Sequence, residues 1–113
     1  MHARRLNQQI IELLPPAVID TTGVALMARD AHGCGRARDW LLDGSRSDFS
    51  RDSLNVIGKA LDYAKQHDGL RRMVLVIPQA MGRIVAKGLL THAPVAVVVV
   101  ETRAEALNIL GAR

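Results

Sequence analysis

A chain of 113 residues, 49% of them hydrophobic, has enough apolar material for one core over 1–113, and multidomain readings are set aside. The lone cysteine, Cys34, excludes an internal disulfide, no Cys/His cluster has zinc spacing and no apolar run reaches the roughly 18 residues of a membrane span, so a cytoplasmic protein without metal or cofactor is expected. The net charge of +4, mostly arginine, would suit a phosphate, a nucleic acid or an acidic partner, but Trp40, Phe49 and Tyr63 are the only aromatics and acidic residues are interleaved with basic ones, which disfavours nucleic acid.

Residues 3–14 place Leu6, Ile10, Leu13 and Leu14 on one helical face and stop at Pro15-Pro16, which predicts a helix. A strand over 9–14 competes, because the run is short and ends in β-compatible residues. Ala17-Val18-Ile19 reads as a brief strand and Thr21-Thr22-Gly23 as a turn or a helix start. Residues 24–31 fit either a strand or a short helix with Gly33 just past its end. Trp40-Leu41-Leu42, between Asp39 and Asp43, reads as a buried strand that leaves through Gly44-Ser45-Arg46-Ser47. Over 52–66, Leu54, Ile57, Leu61 and Ala64 form the stripe of an amphipathic helix, started by Ser50 or Ser53 and ended by His67-Asp68-Gly69.

The last third is the most regular. Met73-Val74-Leu75-Val76-Ile77 is an unbroken apolar run closed by Pro78, and Ala80, Met81, Ile84, Val85, Gly88 and Leu89 then recur at helical spacing. Pro94 opens a second run, Val95-Ala96-Val97-Val98-Val99-Val100, followed by a short helix with Thr102 and Glu105 in capping-box spacing. Strands without polar alternation are covered on both faces, so the two runs are expected as adjacent, parallel, central strands. The fold class is α/β: a sheet of four or five strands, mixed or largely parallel, with helices packed on it. Incomplete cover over Met81, Ile84, Val85 and Leu89 would favour a homodimer.

In open parallel sheets the functional crevice lies beyond the carboxyl ends of the strands. That rule singles out Arg46, Arg83 and Arg103 around Asp43 as an anion-binding rim, which a phosphate-ligand binder or small enzyme could use. The same arginines would serve equally as surface ion pairs with Asp43, Asp48 and Glu101. Neither a dinucleotide fingerprint nor a Walker lysine pattern occurs. Cys34 stands near His32, yet no third residue is in view to orient the imidazole, and no catalytic residue is assigned.

Residues 40–110 resemble the STAS-like family, named for sulfate transporters and anti-sigma-factor antagonists. Leu41-Leu42-Asp43-Gly44-Ser45-Arg46, Asp52-Ser53-Leu54-Asn55-Val56-Ile57, the strand and helix of 74–90, the strand of 97–101 and Glu105-Ala106-Leu107-Asn108-Ile109-Leu110 follow the family's order at comparable spacing. The resemblance implies a non-enzymatic binding or regulatory module that meets a protein partner or a small apolar or anionic ligand. It would make Ser53 a phosphoacceptor, although this helix start has one serine where the antagonists have two. Serine there also caps a helix without any modification. A basic accessory protein for nucleic acid is the third reading.

Overall fold

The segment expected as an N-terminal helix forms two strands. Ala3–Arg5 (β1) and Ile10–Leu13 (β2) pair antiparallel, with Arg4 opposite Glu12. A helix over 3–14 would bury a single stripe, whereas Ile10 and Ile11 are both fully buried in different apolar clusters. Successive side chains on opposite sides are the geometry of a strand, and with cores on both faces the competing strand reading wins. The computed structural model describes residues 2–111, apart from the side chain of Arg51.

Val18–Ile19 (β3) is followed by a helix, Thr21–Gly33 (α1), which resolves the two readings of residues 24–31 and takes His32 and Gly33 into its last turn. Asp20 caps it by accepting from the Gly23 N–H at 2.7 Å. Asp39–Asp43 (β4), the two-residue Asp48–Phe49 (β5) and Arg51–His67 (α2) come next. The chain closes with Arg72–Val76 (β6), Ala80–Leu89 (α3), Ala96–Val100 (β7) and Arg103–Leu110 (α4).

The main sheet has five strands in the order β1-β2-β4-β6-β7, antiparallel between β1 and β2 and parallel elsewhere. β3 and β5 form a separate parallel pair. Alternate strand residues feed two cores. Ile11, Leu13, Trp40, Leu42, Met73 and Leu75 pack with residues of α1, α2 and α3, while Ile10, Leu41, Val74 and Val76 pack with Ala106 and Leu110 of α4. Helices thus cover both faces, three on one and a short one on the other.

The strands of the last third are adjacent and parallel as expected, with Met73 opposite Val97 and Leu75 opposite Val99. They are not both central. β7 is the edge strand: Ala96 is exposed and Val97, Val98 and Val99 are only partly buried, whereas Met73 to Val76 are all buried. An unbroken apolar run reports that both faces are apolar and says nothing of the in-plane edge, where the backbone is left without a neighbour.

Candidate functional site

The carboxyl end of β4 is covered by the segment that follows it. After β4 the chain turns at Gly44, whose N–H donates to the Val76 carbonyl at 3.0 Å, and returns as β5 to pair with β3. The approach is tight, since a Cβ on Gly44 would lie 2.5 Å from Cε2 of Phe49 and 2.7 Å from the Val76 carbonyl oxygen. Phe49 therefore lies against the end of β4, where a ligand crevice was expected. Asp43 accepts from the Ser45 N–H at 3.0 Å, holding the turn.

The arginines of the expected rim go to different work. Arg83 donates through Nη1 to the carbonyls of Ile77 and Pro78, at 3.1 and 2.6 Å, and so ties the start of α3 to the end of β6. Arg103 is brought to Asp43 at 3.9 Å, but its closer partner is Glu12, at 3.0 Å. Arg46 makes no ion pair among the described residues. Only Arg103 and Asp43 of the four are shown in contact.

Glu12 was outside the sequence reading, because it sits in the segment taken for a helix. It is buried in β2, where Arg4 donates to Oε1 at 2.7 Å and Arg103 donates to Oε2 at 3.0 Å, so the edge hairpin is fastened to the first turn of α4. The hydrogen bond to Glu12 raises the Arg103 pKa above its ordinary value, against burial, which lowers it. Thr102 caps the same helix by accepting from the Glu105 N–H at 3.2 Å, and its hydroxyl donates to Glu105 Oε1 at 3.3 Å, a variation on the expected capping box.

Ser53 is wholly buried. Its Oγ donates to the Ser50 carbonyl at 2.6 Å, and its N–H donates to Ser50 Oγ at 3.3 Å. Ser50 is the N-cap of α2, with extended φ and ψ of −71° and 152°, and Ser53 is a first-turn residue whose hydroxyl points inward.

Near the ends of α1 and α2, His32 Nδ1 lies 2.7 Å from Asp68 Oδ1, the orienting carboxylate that the sequence did not reveal. Tyr63 sits edge-on to His32 and against His67, with ring centroids 5.5 and 4.2 Å apart. Asp68 Oδ2 is buried with no partner among the described residues. Cys34 takes no part in this group; it caps α1 and packs half-buried on the core.

The open surfaces lie elsewhere. Helix α3 turns Ala86 inward and its large apolar residues out: Met81 is 70% exposed, Ile84 63%, and Val85 and Leu89 45% each, while Leu90, just past its end, is buried. Gly82 explains the arrangement, since a Cβ there would meet Ile77 Cγ2 at 2.8 Å and push the helix off the sheet. A cleft of about 400 Å³ beside it is lined by Lys87, Leu90, Thr91, Pro94, Val97 and Val99. No helix is long and apolar enough to cross a membrane, and among the described residues no group of three or more His, Cys, Asp or Glu could hold a metal ion. No family model, curated protein or solved structure matches the chain.

Proposed function

We propose that this chain is a non-enzymatic, protein-binding module of the STAS-like type, and that its docking face is the outer stripe of α3 together with the neighbouring edge of β7. The observation that carries the reading is the stripe itself. Four large apolar side chains at positions 81, 84, 85 and 89 follow the spacing of one helix face and face solvent. The strand and helix alternation on which the family resemblance rests runs through residues 39–110, which supports the STAS-like assignment without naming a partner.

The occupant we assign to this face is a second copy of the chain. The stripe itself is four large apolar side chains, whereas the chain as a whole bears a net positive charge that opposes self-contact elsewhere. Strand β7, Ala96–Val100, is uncharged and symmetric in pattern: antiparallel pairing of two copies about Val98 sets Ala96 against Val100 and leaves every pair apolar. A stable dimer covers about 800 Å² per copy, roughly one-eighth of the 6312 Å² surface.

Analytical ultracentrifugation tests this. The wild type should sediment as a dimer at high concentration, and the double variant Met81→Glu/Ile84→Glu as a folded monomer with unchanged circular dichroism, because both side chains are exposed in the single chain. A wild type that stays monomeric at every concentration overturns the assignment.

A further inference from the structure

A polar cleft opens at the amino ends of β2, β4 and β6. It measures about 320 Å³ and is lined by residues just before β2, β4 and β6: Gln8 and Gln9, then Arg36, Ala37 and Arg38, then Asp68, Gly69 and Arg71. Backbone hydrogen bonds stitch these three segments together, from the Asp39 N–H to Gln9, the Ala37 N–H to Asp68 and the Arg71 N–H to Arg38, at 3.0, 3.2 and 2.8 Å. Arg5 adds a clamp. Its guanidinium donates to the carbonyls of Asn7, Gln8, Cys34 and Arg36 and so fixes two of the segments against each other.

Positive charge exceeds negative charge in this lining. Arg38 shares the buried Asp39 carboxylate with Arg72. Neither Arg36 nor Arg71 has a carboxylate within ion-pair distance among the described residues. The Arg36 guanidinium lies across Gly69, where a Cβ would be 2.8 Å from Nη2, and Gly69 has φ of +71°. The single carboxylate of the lining, Asp68, is buried and turned to His32.

We infer that this cleft binds the phosphate group of a small phosphorylated ligand, with Arg36 and Arg71 supplying the charge and the forked donors, Arg38 a third guanidinium, and Gln8 and Gln9 amide groups at the rim. Guanidinium forks match phosphate oxygens in geometry, and the Arg5 clamp and the backbone hydrogen bonds fix the segments that carry these side chains. The cleft has room for a small molecule and no aromatic in its lining on which a base could stack, which favours a small phosphate over a nucleic-acid strand.

Isothermal titration calorimetry with pyrophosphate is the test, at low and at raised salt. The wild type should bind, more weakly as salt rises, and Arg36→Ala/Arg71→Ala should weaken binding by about tenfold or more while the exposed positions leave the fold intact by circular dichroism. Arg36→Lys, which keeps charge but loses the fork, should fall between them. Arg46→Ala, remote from the lining, should bind as the wild type does. Absence of pyrophosphate binding, or an equal loss in Arg46→Ala, overturns the inference. So does a single-stranded oligonucleotide that binds and is not displaced by pyrophosphate.

Discussion

Glu12 is 2% exposed, while its partners Arg4 and Arg103 have side chains 53% and 39% exposed, so the two ends of each ion pair stand in different surroundings. Losing the carboxylate charge leaves the arginines free to rehydrate, and the cost comes from the charge-assisted hydrogen bonds. Glu12→Gln should therefore destabilise by about 1.5–3 kcal/mol in urea unfolding. Glu101→Gln, at an exposed residue with no ion pair among those described, should change stability by less than about 0.5 kcal/mol. The serines of α2 make a second contrast. Ser50→Ala removes the cap and should cost about 0.5–2 kcal/mol, and Ser53→Ala removes one buried hydrogen bond at about 0.5–1.5 kcal/mol. Ser53→Asp should be worse than Ser53→Ala in thermal unfolding, because an ionised carboxylate cannot donate to the Ser50 carbonyl and has no water there. From sequence both serines were equivalent helix starters; which of them turns inward depends on the packing of α2 against the sheet.

Helix α3 was legible as a helix from its spacing, and so was the incomplete cover of its large residues. Its inward face was not, because it is made of small residues that carry little periodic signal. Gly82 and Gly88 look alike in the sequence but differ in the fold: a Cβ at Gly82 would clash with Ile77, and one at Gly88 would meet nothing within 4 Å. Gly88→Ala should thus stabilise by about 0.5–1 kcal/mol through helix propensity alone. Gly82→Ala should lower the melting temperature as α3 lifts from the sheet. The N-terminal hairpin was harder to read, since Leu6, Ile10 and Leu13 satisfy a helical stripe, and only the simultaneous burial of Ile10 and Ile11 decides for strands. The β3 and β5 pair was half seen: Val18-Ile19 was read as a strand, but two residues of β5 have no period to detect. That omission is why the cover that Phe49 places over the end of β4 was not foreseen.

The placement of the two open surfaces follows from the sheet as a unit. The small parallel pair lies against the carboxyl end of β4, the arginine-lined cleft lies at the amino ends, and α3 with β7 forms the side. The two surfaces meet at the start of β7, where the Ala96 N–H donates to the Arg71 carbonyl at 3.3 Å. The order β1-β2-β4-β6-β7 is also the order in which the strands leave the ribosome. Each new strand finds its neighbour already made, and none has to insert between two that are paired. Assembly can then proceed as simple accretion during synthesis, each strand adding to one growing rim while β1 stays the opposite edge throughout.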